Sequence, residues 1–186
     1  MFIKMKEKKL FEEIEIPENV EVSLNNNILK IKGPKGEIQK NFTPLKVELT
    51  KENNNLKFSV HGLSRKSKDY LNSGVSIFDN MAKGVKDNFT YKLKICSGHF
   101  PMSVSVEKNK VIIKNFLGEK VPRTANIIEN VNVKVNGDII VVESLDKEKA
   151  GQVSANIEIA TKIRKKDRRV FQDGCFIIEK AGENLK

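Results

Sequence analysis

The sequence predicts an α+β protein made of two tandem duplicated domains, each a mainly antiparallel sheet covered by one helix. Three observations carry that prediction. An apolar-polar alternation starts at Pro17 with Pro-Glu-Asn-Val-Glu-Val-Ser-Leu, breaks at Asn25 to Asn27 and resumes from Ile28 to Lys32. The pattern starts again at Pro101 with Pro-Met-Ser-Val-Ser-Val, breaks at Lys108 to Lys110 and resumes from Val111 to Lys114. A second pair of runs also recurs: Val47 and Leu49 lead through Asn53 to Asn55 into Leu56, Phe58 and Val60, while Val131, Val133 and Val135 lead through Asn136-Gly137-Asp138 into Ile139 to Val142. Both copies then change to helical spacing. Period two marks a half-buried strand and 3-4 spacing an amphipathic helix, so the expected domains are residues 1–86 and 87–186. Units of that size hold only a modest core.

In chain order, a charged segment runs to about Lys9, and Phe11 to Ile16 alternate well enough for an edge strand. Val20 to Leu24 and Ile28 to Lys32 are strands joined by Asn25, Asn26 and Asn27, a residue type that tolerates the positive φ of tight hairpins. Gly33-Pro34-Lys35-Gly36 turns the chain into Glu37 to Phe42, and Lys46 to Leu49 pair with Leu56 to Val60. From Ser67 the apolar spacing becomes helical, through Leu71, Val75, Phe78 and Ala82, with Ser64 or Ser67 as N-cap and Gly84 as the expected stop.

The second domain opens on a strand, Phe89 to Ile95, followed by the hairpin of Val104 and Val106 with Val111 to Ile113. Asn115 to Arg123 reads as a long loop. A helix is expected from Lys147 to about Ile163, capped by Asp146, with Ala150, Val153, Ile157 and Ala160 inward. Cys175 to Ile178 supply a last strand.

Thirty-four Lys and Arg against 24 Asp and Glu leave a net charge of +10, with 39% apolar residues, enough for a folded chain. A surplus of this size favours a polyanionic partner. No apolar run approaches the roughly 18 residues of a membrane span, so a membrane is not expected as partner. Cys96 and Cys175 stand far apart, without a CxxC, and are expected to be reduced, buried thiols. The N-terminus lacks the apolar core of a secretion signal, which fits a cytoplasmic protein.

The positive charge is concentrated. Lys162, Arg164, Lys165, Lys166, Arg168 and Arg169, against Asp167 alone, supply the whole surplus of the second half, at what reads as the C-terminal end of a helix. A solvated helix end is the plain interpretation; the richness in Arg, which grips phosphate through two parallel hydrogen bonds, favours nucleic acid. Phe171 beside the cluster could stack on a base, although core packing between helix and strand is the expectation. Two further surfaces are candidates. Lys114, Lys120 and Arg123 frame Gly118, where missing Cβ bulk would admit a phosphate or merely serve a turn. His99, Phe100 and Met102 offer a donor beside an aromatic plane, in an RNA contact or a packed loop.

Other chemistry finds little support. Gly33 to Gly36 match the GxxG of KH domains, but that loop joins helices and this one joins strands. Cys96 and His99 do not amount to a nucleophile-base pair, and His61, Cys96, His99 and Cys175 lack metal-ligand spacing. No phosphate-binding loop or dinucleotide fingerprint is present, so neither catalytic residues nor a cofactor are expected.

Several phrases of the second half occur in a fixed order: His99-Phe100-Pro101-Met102, Asn115-Phe116-Leu117-Gly118-Glu119, Pro122-Arg123, Asp146-Lys147-Glu148 through Gly151-Gln152, Ala155-Asn156-Ile157-Glu158, and Asp167 through Gly174. With Gly33-Pro34-Lys35-Gly36 and Phe42 in the first half, the chain resembles, over nearly its whole length, the family of the sixth protein of the large ribosomal subunit in its archaeal and eukaryotic form. Where the family commonly has Ile after the Asp-Gly pair, Cys175 stands here, apolar for apolar.

The resemblance implies a duplicated α+β protein with a structural role and no catalysis. Its second domain would bind large-subunit ribosomal RNA near the sarcin-ricin loop and the docking region of translation factors, beside neighbouring ribosomal proteins. The implied RNA contacts are His99, Phe100 and Met102; Lys114, Asn115, Gly118, Lys120 and Arg123; Gln152; and Lys162, Arg164, Lys165, Lys166, Arg168 and Arg169. The competing interpretation is a protein-interaction module that adds strands to partners at exposed sheet edges.

Overall fold

The structure, a computed structural model, describes residues 9–185; the charged leading segment up to residue 8 lies outside the described residues. The described chain divides into two compact units, the first ending at Asp87 and the second beginning at Asn88. Its strands are antiparallel, as alternation and hairpin turns foretell, and each unit has one long helix.

In the first unit, strands β1 (Lys9–Glu15), β2 (Glu21–Asn25), β3 (Ile28–Gly33), β4 (Gly36–Asn41), β5 (Glu48–Glu52) and β6 (Asn55–His61) precede helix α1 (Arg65–Lys86). They divide into two three-stranded sheets, β2-β3-β4 and β1-β6-β5, a division that alternation cannot show. Asn26 and Asn27 turn the first hairpin at φ 46° and 63°. Asn27 also ties the sheets together: its Nδ2 donates to the Val47 carbonyl at 2.7 Å and its Oδ1 accepts from Leu49 N–H at 3.1 Å. The core holds Leu29, Ile31, Leu56 and three rings, Phe58 meeting Phe42 and Phe78 edge to face at 6.2 and 6.0 Å.

Ser64 caps α1, its side chain accepting from Ser67 N–H at 3.1 Å. The helix runs through Gly84, the expected stop, and ends at Lys86. Gly84 is buried on the face that carries Met81 and Val85, inside the helix rather than at its end.

The turn from β3 to β4 lies hard against the end of α1. Lys35 N–H donates to the Val85 carbonyl at 3.1 Å, and a Cβ on Gly33 would stand 2.8 Å from that oxygen and 2.9 Å from Val85 Cβ. Both are anchored atoms that cannot swing aside. Gly33→Ala is therefore expected to cost about 1–3 kcal/mol through overpacking, read as a lower thermal midpoint. An unchanged midpoint would show that the turn yields freely.

The second unit repeats this plan and adds to it. Strands β7 (Phe89–Cys96), β8 (Ser103–Glu107), β9 (Lys110–Lys114), β10 (Arg123–Asn126), β11 (Val131–Asn136) and β12 (Ile139–Ser144) precede α2 (Lys147–Ala160), after which come β13 (Gly174–Lys180) and the short β14 (Glu183–Asn184). The sheet β10-β9-β8 answers to β4-β3-β2, and β7-β12-β11 to β1-β6-β5. The addition is β13 with β14, which extends the larger sheet to β11-β12-β7-β13-β14 along the other edge of β7. The core gathers Leu93, Ile113, Phe116, Ile140, Val142, Val153 and Ile157.

Two expectations need correction. Helix α2 ends at Ala160, not near Ile163, so the basic cluster from Lys162 to Arg169 occupies the loop between α2 and β13 rather than a helix end. The physical reason lies at Thr161. Its hydroxyl accepts from Cys175 N–H at 2.9 Å, which draws the chain toward β13 and out of helical geometry. Cys96, expected to be buried, is partly exposed, because it closes β7 where the chain leaves the sheet; Cys175 is buried as expected.

Among the described residues, no helix is long and apolar enough to cross a membrane.

Candidate nucleic-acid interface

The segment between α2 and β13 belongs to the part of the second unit that the first does not repeat, and its placement depends on one carboxylate. Asp173, 2% exposed, precedes β13. Its Oδ1 accepts from the backbone N–H groups of Gly98 and His99 at 2.6 and 3.0 Å, and its Oδ2 lies 2.6 Å from His99 Nδ1. The 97–102 loop is thereby clasped to the strand that follows the basic segment. Burial alone would push the Asp173 carboxyl up, but the His99 backbone and side-chain hydrogen bonds, with the Gly98 N–H, outweigh it and hold the group below its ordinary value.

An aromatic layer lies over the clasp. The His99 and Phe171 rings stack at 4.7 Å between centroids, 26° apart, and Lys166 Nζ lies 4.6 Å from the Phe171 centroid on that ring's face. Phe171 is thus a half-buried member of the surface rather than a core residue. Core packing was the expectation for it because the sequence could not show that its neighbour would be an imidazole.

Arg123 anchors the second loop. Its Nε and Nη2 grip Glu119 Oε2 and Oε1 at 2.8 and 2.6 Å, while Nη1 donates to the carbonyls of Ala160 and Lys162 at 2.9 and 3.2 Å. The guanidinium also lies 4.2 Å from the ring centroid of the buried Phe116. It therefore caps the last turn of α2 and fixes the start of the basic segment, with most of its donors used inside the protein. The Arg123 side chain in turn holds the Glu119 carboxyl below the usual carboxylate range.

The first and second loops also meet. Asn115, at φ 58°, donates from Nδ2 to the Pro101 carbonyl at 2.9 Å. The Phe100 ring, 49% exposed, rests on Gly118, at 3.5 Å from where a Cβ would be. Gly118 has φ 79°, a conformation that calls for glycine; the ring would make only an ordinary contact with a Cβ there. Met102 is half-buried against the core, while Lys114 and Lys120 are exposed.

The three sequence-predicted surfaces are consequently one continuous face: the 97–102 loop, the 114–123 loop and the basic segment are bonded to one another through Asp173, Arg123, Asn115 and the ring contacts. Within the segment, Asp167 pairs with Arg169 at 3.0 Å. Lys162, Arg164, Lys165 and Arg168 are exposed and have no ion-pair partner among the described residues. Gln152 lies on α2, its Nε2 donating to Asn156 Oδ1 at 3.0 Å, and among the described residues no hydrogen bond joins its side chain to the loops.

Beside the clasp lies an open groove of ≈ 1220 Å³ whose lining includes Cys96, Ile159, Lys162, Arg168, Val170 and Phe176. Sequence reasoning missed Asp173, Glu119 and Phe176. Asp173 partners residues 74 and 75 positions away, a distance no local pattern spans.

A family model described as "Ribosomal protein L6" matches residues 16–88 and 100–174, one stretch in each unit. The chain is 46% identical over 169 residues to the "Large ribosomal subunit protein uL6" of Methanobrevibacter smithii, covering 91% of this chain and 95% of the relative. It is 46% identical over 174 residues to the protein of the same description from Staphylothermus marinus, covering 91% and 94%. With the one from Nanoarchaeum equitans it shares 45% identity over 181 residues, covering 93% and 94%.

Proposed function

Since the chain belongs to the ribosomal protein L6 family, and so is a structural protein of the ribosome's large subunit rather than an enzyme, we propose that the loop face of its second unit binds large-subunit ribosomal RNA. The observation that carries this reading is the union of three loops into one face with four cations, Lys162, Arg164, Lys165 and Arg168, that have no ion-pair partner among the described residues, around an aromatic layer. Phosphate contacts from these cations position the protein, while the rings and loop backbone meet the folded RNA. Arg123 contributes by holding two loops in place, since its guanidinium is already engaged. Phe100 and Lys120 extend the face over the second loop.

The RNA site proposed is the neighbourhood of the sarcin-ricin loop, with translation factors docking close by, a reading supported by the resemblance to the family. Neighbouring ribosomal proteins complete the partners, in the cytoplasm where ribosomes work.

The test is binding of the full chain to an RNA fragment that carries the sarcin-ricin loop, measured from 50 to 200 mM salt. Affinity is expected to fall steeply, by roughly tenfold or more over that range if several phosphates are engaged. A flat salt response, or equal affinity for an unrelated RNA of the same length, would overturn the assignment.

A further inference from the structure

Much of the face just described is exposed and cationic, which suits phosphates. The groove beside it is different in kind. Three apolar side chains open into it: Ile159 at 57% exposure, Val170 at 62% and Phe176 at 38%. They come from α2, from the basic segment and from β13, so the cluster is made by the tertiary fold. Phe176 is held as a platform, because Gly174 beneath it has no Cβ and lets the ring edge come within 3.1 Å of where one would be. The neighbouring wall is the stacked pair His99 and Phe171. Lys162 and Arg168 also line the groove, without ion-pair partners among the described residues.

We infer that this groove receives one unpaired nucleotide of the bound RNA, its base laid on Phe176 between Ile159 and Val170, and its phosphate held by Arg168 and Lys162. The inference rests on the RNA reading above and adds a base-stacking subsite to it. Charge complementarity selects the occupant. Of the two carboxylates in the lining, Asp173 is enclosed by its own hydrogen bonds, which leaves Glu158 alone against the cations. An apolar floor under a cationic rim matches a group that joins a flat π face to an anion, and unstacked bases are what proteins read in folded RNA. The volume also suffices, since pockets of about 300–1,000 Å³ enclose drug-sized ligands.

Two measurements on the full chain with the same RNA fragment decide the matter. Phe176→Ala is expected to weaken binding about tenfold, the loss typical of one base stack, while leaving the slope of affinity against salt unchanged. Phe176→Tyr, which keeps an aromatic face, should bind like the parent chain. Phe176 is 38% exposed and packs over Gly174, so the alanine change is expected to lower the thermal midpoint while the tyrosine change keeps it; binding is compared well below either midpoint, where both variants are folded.

The second measurement uses Cys96, the partly exposed thiol in the groove; burial pushes the Cys175 thiol up to about 12 and keeps it out of reach of alkylating agents. Bound RNA should slow alkylation of Cys96 about tenfold or more. If the parent chain binds RNA with a steep salt response, yet Phe176→Ala binds equally well and Cys96 reacts at the free rate, the subsite is wrong and the RNA face stands. If the parent shows no salt-dependent binding, both fall. Protection of Cys96 by another ribosomal protein in the assembled subunit, but not by RNA, would overturn the nucleotide as occupant.

Discussion

Replacing Arg164, Lys165 and Arg168 together by Gln is expected to weaken binding to the sarcin-ricin fragment by roughly 100-fold near 0.15 M salt. All three side chains are exposed and lack ion-pair partners among the described residues, so their charge is available to a polyanion. Each phosphate contact releases bound counterions and adds roughly 0.7–0.9 to the slope of log affinity against log salt. Loss of three should lower that slope by roughly 2. The fold should be indifferent, because these exposed side chains make no hydrogen bond or ion pair among the described residues, and an unchanged thermal midpoint is the control. Arg169 is left in place because Asp167 already neutralises it. Parent-like affinity with a parent-like slope, in a variant that melts normally, would remove the basic segment from the interface.

Asp173→Ala is expected to act on stability and binding together. The carboxylate is buried and satisfies two backbone N–H groups and an imidazole nitrogen, and alanine supplies no acceptor for any of them. At roughly 1–3 kcal/mol for each buried group left unsatisfied, with His99 itself partly open to water, the loss should be about 3 kcal/mol. The 97–102 loop would then part from β13, and RNA affinity should drop although no cation has been removed.

Asp173→Asn separates the charge from the hydrogen-bond geometry, since its amide oxygen can still accept from the backbone. Hydrogen bonding holds the folded-state pKa of Asp173 below its ordinary 3.8, so ionisation favours the folded chain. That contribution is complete above about 3.8 and is lost as pH falls through the lower, folded value. The stability gap between the parent chain and Asp173→Asn should therefore persist from neutral pH down to about 4 and close below it. A gap that stays open or grows as the pH falls further below about 4 would contradict this reading.

The same residues mark how far the sequence could be read. Local patterns carried the strands: period two across Val20 to Leu24 and Leu56 to Val60, and Asn at the turns where φ is positive, as at Asn26 and Asn53. Duplication was legible for the same reason, each copy repeating its patterns in order. The candidate cations were legible too, because charge density is a local property, and the ordered phrases from His99 to Gly174 pointed to the family that the model match and the archaeal relatives show.

What the sequence by itself determined, then, is the set of parts: strands and helices, twin α+β units, a family, and a concentration of Arg and Lys late in the chain. Tertiary structure alone decided how those parts join. It ended α2 at Ala160 by drawing Thr161 onto Cys175 N–H, divided the strands of each unit into two sheets, and set β13 along β7. It also spent Arg123 on Glu119 and the end of α2, moved Phe171 from core to surface, and closed three loops into one face around Asp173. The physical reason is range. Backbone periodicity and turn conformation are settled within a few residues, whereas a buried carboxylate finds its donors 74 and 75 positions away, and only the folded chain brings them within hydrogen-bond distance.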